Sequence, residues 1–518
     1  MNEIKILWAD DEIDLLKPQI LFLEQKGYQV QGINNGSDAI EICKEGKVDV
    51  VLLDESMPGL SGLETLAEIK KIKPSLPVVM ITKNEAEDLM EDAIGNQIAD
   101  YLIKPVNPNQ ILLTLKKLID NKRLVSAKTN MAYQQEFQKI FMKIQDNPNA
   151  DEWIDIYKQL IYWELELDKT QSDEMQEVLS MQKQEANVEF GKFIIGNYKK
   201  WMQSEDSAPM LSHNLFKKHL LPVLSDDMPT YVILIDNLRY DQWKVIQPIV
   251  EQYFRQESEI GFYSFLPTAT QYSRNAMFAG MTPLEIDRSL PEFWKNDEEE
   301  GGKNLYEKEL LNNFLKSNLS DTIKWTYQKV TNSQNGKALV DNIQNLSNNK
   351  LNVIVYNFVD MLSHARTEME VLKELAGDEK AYRSITKSWF LYSPLLDALK
   401  KIASNPCRVV FTTDHGTIRV KQASKCVGDR NTTTNIRYKT GKNLQFNEKD
   451  VLFTRNPHEF QLPKTNVSSS FIFAKEDLFF VYPNNFNHFV KFFKDTFQHG
   501  GISLEEMVVP FSVFTNRK

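Results

Sequence analysis

A chain of 518 residues with 42% hydrophobic content is long enough to bury sizeable cores in about three domains. Its formal net charge of −10 argues against a general nucleic-acid coat. Cys43, Cys407 and Cys426 are too few and too unpatterned for a disulfide framework, no basic-then-apolar leader opens the sequence, and no apolar run approaches a membrane span; the expectation is a reduced, cytoplasmic, non-membrane protein.

Residues 1–120 alternate short apolar runs with helical segments, which predicts a doubly wound βα domain. The runs are Ile4 to Trp8, Val50 to Leu53, Val78 to Ile81 and Tyr101 to Ile103, with a weaker one at Tyr28 to Gly32. Asp10 and Asp11 follow the first, Asp54 ends the third, Thr82 the fourth, and Lys104 with Pro105 the fifth. With these residues in place, the segment resembles the CheY-like receiver of response regulators. The resemblance implies that Asp54 accepts a phosphoryl group from a sensor histidine kinase. It also implies that Asp11 directly, and Asp10 through water, help Asp54 hold Mg2+, a hard ion that prefers oxygen. Lys104 would pair with the phosphoryl group, and Thr82 with Tyr101 would report it. A homodimer through receiver domains on phosphorylation is implied as well, on a face built from residues 84–119.

Residues 121–208 are poor in Gly and Pro and helical in pattern. Trp153, Ile156, Tyr157, Leu160 and Ile161 recur at helical spacing, and Gln176 to Met202 can make one long helix. Breaks at Asn147-Pro148-Asn149 and Lys169-Thr170-Gln171-Ser172 divide the segment into three helices, a bundle that serves as a relay. With eleven basic against fourteen acidic residues between Asn121 and Glu205, its charge has the wrong sign for a DNA-binding helix-turn-helix.

Residues 209–518 read as a second α/β domain. Buried parallel strands are expected at Tyr231 to Ile235, Leu351 to Val355 and Arg408 to Thr412, and a final strand at Met507 to Phe514. An acid follows each of the first three: Asp236, Asp360 and Asp414. Asp360 and His364 form D-x-x-x-H, which on a helix turns both side chains the same way; Asp414-His415-Gly416 and His499-Gly500-Gly501 sit on turns. Three Asp and three His suffice for two zinc sites. Thr270, in Pro267-Thr268-Ala269-Thr270, opens a helical run, where backbone N–H groups favour a phosphoryl oxygen; the stretch read alone equally allows Thr268, Thr270 or Ser273 to be an N-cap. Asn332 to Asn349 reads as a loop or small helical excursion.

The order of Asp, P-T-x-T, D-x-x-x-H, D-H-G and a late H-G-G resembles the alkaline phosphatase superfamily and, within it, the PglZ domain. The resemblance implies one zinc on Asp360, His364 and His499, and a second on Asp236, Asp414 and His415 beside Thr270 as nucleophile. A threonine nucleophile is more like the nucleotide pyrophosphatase and phosphodiesterase branch. Residues 416–470 carry ten basic against four acidic residues, so Arg430, Arg437 and Lys439, with Arg274 and Asn275 nearer Thr270, are candidate substrate contacts. The fold class is therefore α/β multidomain: receiver, helical bundle linker and alkaline-phosphatase-superfamily domain.

That order of domains resembles the response regulators associated with type IX secretion, which implies a role in controlling it and a sigma factor among the partners. The expected function is a zinc phosphodiesterase acting on nucleotides or oligonucleotides and gated by Asp54. Two alternatives stay open, a phosphomonoesterase and a signalling scaffold that binds a transcription partner.

Overall fold

The computed structural model describes residues 4–46, 48–74, 76–83, 98–170, 173–224, 228–319, 323–368, 377–429, 432–464, 466 and 468–517, with the side chains of 119–127 and 364–368 set aside. It falls into two compact units, Met1–Ala132 and Tyr133–Lys518.

In the first unit, β1 (Ile4–Ala9), β2 (Tyr28–Ile33), β3 (Val50–Asp54), β4 (Val78–Thr82) and β5 (Asp100–Ile103) form a parallel sheet in the order β2-β1-β3-β4-β5. β3 and β4 are buried along their whole length because helices cover both faces, which is why their sequences are continuous apolar runs. Of the face expected from residues 84–119, residues 84–97 lie outside those described.

In the second unit three helices come first or overlap its start: Asn121–Gln145, Ala150–Leu167 and Asp173–Gln203. The Asn147-Pro148-Asn149 break is a capped restart, with Asn149 and Glu152 exchanging hydrogen bonds in a capping box. The helices' aromatic stripe is core: Trp153, Tyr157, Phe190 and Tyr198 are buried.

The large sheet contains β6 (Thr230–Ile235), β7 (Phe254–Tyr263), β8 (Trp325–Val330), β9 (Leu351–Tyr356), β10 (Arg408–Thr412) and the strand Val508–Asn516. Their order is β7, Val508–Asn516, β10, β6, β9, β8. β10, β6, β9 and β8 run parallel, and Val508–Asn516 is antiparallel to both its neighbours. The sequence does not announce β7 and β8: both are edge strands, and neither carries a continuous buried run.

Strand order and register place the functional loops. β6 lies between β10 and β9, with Thr412 opposite Leu234 and Tyr356 opposite Ile235. The C-terminal ends of all three therefore meet at one edge, about 5 Å apart from strand to strand. Asp236, Asp360 and Asp414 leave the sheet there, in the crevice where an open α/β sheet takes ligands.

Candidate functional site

Asp236 is the first residue beyond β6, its N–H bonded to the Tyr356 carbonyl. Asn237 then turns with φ at 64°, a left-handed conformation that Asn tolerates. Its backbone N–H donates to Asp414 Oδ1 at 3.3 Å, and its side-chain amide to Asp360 Oδ1 at 3.4 Å and Ser363 Oγ at 3.2 Å. One asparagine thus ties together the loops after β6, β9 and β10.

Thr270 opens the helix Thr270–Ala279; Ala269 is the N-cap and offers no side chain, so the positive end of the helix dipole is left for another group. Thr270 Oγ1 stands 3.2 Å from His415 Nε2 and 3.4 Å from Asp236 Oδ1. Ser273 is bound into the core by Ser264 and by the Phe265 carbonyl. Thr268 donates to the Gly501 carbonyl and accepts from the Gly500 N–H, both at 3.0 Å. It fixes the turn that carries His499, whose Nδ1 is 3.0 Å from the Thr268 carbonyl.

His415 and His499 stack with ring centroids 4.3 Å apart. His499 Nε2 is 4.0 Å from Asp360 Oδ1. The structure therefore brings together Asp236, Thr270, Asp360, Asp414, His415 and His499. His364 is on the same helix as Asp360, Phe358–Glu368, but its side chain lies outside the described residues. Ligand atoms of Asp236, Asp414 and His415 all fall within 4.8 Å of one another, and two carboxylates with an imidazole are donors zinc accepts.

Arg274, one helical turn beyond Thr270, is fully buried and spans the carboxylates. Nη2 lies 2.5 Å from Asp236 Oδ1 and 2.9 Å from Asp414 Oδ2; Nη1 is 3.1 Å from Glu307 Oε1. Burial works against the charge of Asp414, but Arg274, then His415 and backbone N–H groups, outweigh it and hold its pKa below the ordinary value. Burial wins at Asp236, which Asp414 and Asp360 push further up against Arg274. Glu307, unmarked by any motif, anchors Arg274 from behind and takes Tyr327, Lys329 and Asn304 as donors. Arg274→Met leaves the buried carboxylates of Asp236 and Asp414 without their cation and is expected to destabilise the metal-free protein by about 3–5 kcal/mol. The denaturant midpoint reads it; an unchanged midpoint would remove Arg274 from this framework.

These commitments correct four expected substrate contacts. Arg274 is consumed by carboxylates, and Asn275 is buried with its amide donating to the Lys303 carbonyl. Arg437 is buried against Glu506, 2.6 Å from Oε2, and the Leu478 carbonyl. Lys439 donates to the Thr433 carbonyl at 2.9 Å beneath the Tyr482 ring, and burial lowers its pKa to about 8. None offers the exposed donor that a substrate phosphate requires; Arg430 lies outside the described residues. Sequence reasoning also missed Asp297, half-buried between the hydroxyls of Tyr272 and Tyr438 at 2.6 and 3.0 Å, which links the Thr270 helix to the strand Tyr438–Gly441.

In the first unit, carboxylate oxygens of Asp10, Asp11 and Asp54 converge within 4.8 Å, as a hard cation needs. Lys104 Nζ is 2.8 Å from both Asp10 Oδ2 and Asp54 Oδ1. Burial raises the pKa of Asp54 in spite of Lys104. Thr82 Oγ1 donates to Glu55 at 3.3 Å, and Tyr101 is half-buried on β5.

Comparison with known proteins assigns each segment. The response regulator receiver profile matches residues 6–116 and the PorX response regulator linker profile residues 123–202. The chain is 37% identical over 123 residues to the transcriptional regulatory protein ZraR of Klebsiella oxytoca, covering 24% of this chain and 28% of the relative. To ResD of Bacillus subtilis it is 33% identical over 118 residues, 23% of this chain and 49% of the relative. The chain thus spans about a quarter to half of the length of these relatives. Among solved structures, a response regulator receiver domain protein from Clostridium thermocellum matches at 33% identity and a TM-score of 0.22, covering 23% of this chain and 98% of that one. Among the described residues no helix is long and apolar enough to cross a membrane. The profile of the BREX system PglZ alkaline phosphatase-like domain matches residues 215–514, so a CheY-like receiver, a PorX-type linker and a metal-binding class of output domain follow one another, and the chain belongs to the PglZ alkaline phosphatase-like family.

Proposed function

We propose that this response regulator, acting below a sensor kinase, is a zinc-dependent phosphodiesterase for nucleotide or oligonucleotide substrates, controlled by phosphorylation at Asp54. The observation that carries the reading is Thr270 Oγ1, 3.2 Å from His415 Nε2 and 3.4 Å from the buried Asp236 carboxylate at the start of a helix. Asp236, Asp414 and His415 would hold one zinc ion, and Asp360, His364 and His499 another. Two such ions supply Lewis-acid stabilisation of both the entering and the leaving oxygen of an in-line displacement.

The chain's own residues supply the rest. Thr270 Oγ is the nucleophile: its bond to phosphorus forms as the bond to the leaving alkoxide breaks, and its proton passes to the medium. The helix N-terminus at Thr270 favours the added negative charge of the phosphoryl group. Water then cleaves the threonyl phosphodiester and restores the hydroxyl. Asn237 keeps the Asp236, Asp360 and Asp414 loops in register throughout.

In the receiver, Mg2+ on Asp10, Asp11 and Asp54 would screen the acceptor carboxylate and the incoming phosphoryl oxygens. Lys104 contacts the product phosphoryl group, and Thr82 with Tyr101 passes on its presence. Dimerisation through receivers, a cytoplasmic location, a sigma-factor partner and a role in type IX secretion belong to the same proposal.

The test is hydrolysis by zinc-loaded full-length protein of a small phosphodiester, a short oligonucleotide and a matched phosphomonoester. Diesters should be cleaved faster than the monoester. With Arg437 and Lys439 buried, the exposed basic residues among the described part of the insert are Lys421, Lys425, Lys449 and Arg455. Oligonucleotide cleavage should still weaken with added salt more than cleavage of the small diester. A monoester preference would make the enzyme a phosphatase, and equal salt dependence would take the insert out of substrate recognition.

A further inference from the structure

The relay helix Asp173–Gln203 does more than space two domains. Lys183 lies on it, half-buried among carboxylates from three other segments. Its Nζ is 2.8 Å from Glu164 Oε2 on the preceding helix, 3.2 Å from Glu379 Oε2 and 3.7 Å from Glu505 Oε1. Burial acts to lower its pKa, but Glu164, Glu379 and Glu505 more than offset it and hold the ammonium charged.

The lattice continues toward the site. Arg383 pairs with Glu164 at 2.8 Å, Asp168 at 2.7 Å and Asp241 at 2.8 Å. Arg239, two residues beyond Asn237, pairs with Asp241 and, at 3.1 Å, with Glu379, and its guanidinium lies 5.3 Å from the ring of Phe497, two residues before His499. Glu164, Asp241 and Glu379 converge closely enough for a metal, but Lys183, Arg239 and Arg383 already supply the cations.

One turn beyond Lys183, Asn187 grips the other side of the same segment. Its amide donates to Glu505 Oε2 at 2.9 Å, and its carbonyl oxygen accepts from the Leu504 N–H at 2.8 Å. Glu505 is itself the floor of the Asp414-His415-Gly416 turn. A Cβ at Gly416 would strike the Glu505 carbonyl, and the Gly416 N–H donates to the Glu506 carbonyl at 3.1 Å. Only glycine permits that approach, so a shift of Glu505 moves His415 with it.

At the other end, Gln182 receives a buried hydrogen bond of 3.0 Å from the Tyr133 hydroxyl and donates to the Phe137 carbonyl at 3.0 Å. Tyr133 and Phe137 belong to the helix Asn121–Gln145, which follows the receiver in sequence. A cavity of about 280 Å³ adjoins Lys183, Asn187 and Glu505, leaving room for the ammonium to change partners.

We infer that Lys183 and Asn187 are positioning residues for the Asp414–His415 turn, and that Tyr133 and Gln182 couple their setting to the helix that leaves the receiver. The inference rests on the proposed metal site and receiver control, though not on the substrate. Exchange of ion-pair partners gives a small helix displacement discrete end states, and energetic coupling of this kind is shown by its equilibrium effects rather than by proximity.

The experiment is zinc affinity of full-length protein, read by chelator competition with and without acetyl phosphate and Mg2+. Lys183→Met and Asn187→Ala should each weaken zinc binding about tenfold, with Asn187→Ala leaving every ion pair in place and so guarding against misfolding of the other. Tyr133→Phe should bind zinc like wild type but lose the shift, at least threefold, that the phosphodonor produces in wild type. Wild-type affinity in both Lys183→Met and Asn187→Ala would overturn the positioning role. A phosphodonor shift absent from wild type, or retained in Tyr133→Phe, would overturn the coupling. Phosphodiester hydrolysis by wild type, measured on the same samples, separates these failures from failure of the catalytic reading: an inactive wild type with the expected zinc shifts leaves the relay standing.

Discussion

Thr270→Ala is expected to lower phosphodiester turnover by at least about a thousandfold, with zinc content and folding retained. The substitution removes one oxygen and one methyl group from a half-buried position. It does not remove the helix cap, because Ala269 holds that place without a side chain, and alanine is the better helix former. Asp236 and Asp414 are held by Arg274 and Asn237 through bonds that do not involve the Thr270 hydroxyl. A loss of activity therefore reports the nucleophile itself, not a collapsed site. The decisive comparison is kcat at matched metal content. Turnover close to wild type would mean that water attacks directly and that Thr270 serves only to begin the helix.

Asp54→Ala should abolish uptake of label from a small phosphodonor and, with it, any dependence of hydrolysis on that donor. Asp54 is buried at the end of β3, and Lys104 reaches it at 2.8 Å. A phosphoryl group there carries about −1.5 to −2 charges at neutral pH, which Lys104 and the metal must balance. Lys104 retains Asp10 at 2.8 Å in the variant, so the receiver does not lose its only internal ion pair at that position. Basal hydrolysis by Asp54→Ala should match that of unphosphorylated wild type. Continued labelling would place the acceptor elsewhere, and hydrolysis that still responds to the donor would remove the receiver from control of the enzyme.

The parallel strands were legible because burial on both faces writes itself as uninterrupted Val, Ile and Leu; each predicted strand forms within two residues of its expected limits. The metal-type residues were legible for a related reason, since an acid immediately after such a run has to emerge at the sheet edge. β7 and β8 were invisible because an edge strand is half-exposed and its sequence, as in Arg255-Gln256-Glu257-Ser258-Glu259, alternates too poorly to stand out. Arg437 and Lys439 misled for the opposite reason. A basic residue in a basic segment reads as exposed, and only the fold reveals a Glu506 nearly seventy positions away that takes one of them inside. Glu307 gave no signal at all: its role depends on Arg274 reaching it across a helix interface, which no local spacing encodes.

The place of Val508–Asn516 in the sheet has a consequence for how the protein is made. This strand is interior, hydrogen-bonded to β10 on one side and to β7 on the other. During synthesis β7 has no route into the sheet until residues some 250 positions later have left the ribosome, and His499 emerges only just ahead of them. The crevice at the sheet edge is thus completed only once residues 499–516 have been made, and a nascent chain that has already exposed Asp236 and Thr270 cannot yet bring His499 to them. Late closure leaves a long interval in which the β7 and β10 edges stand open to pair with other chains.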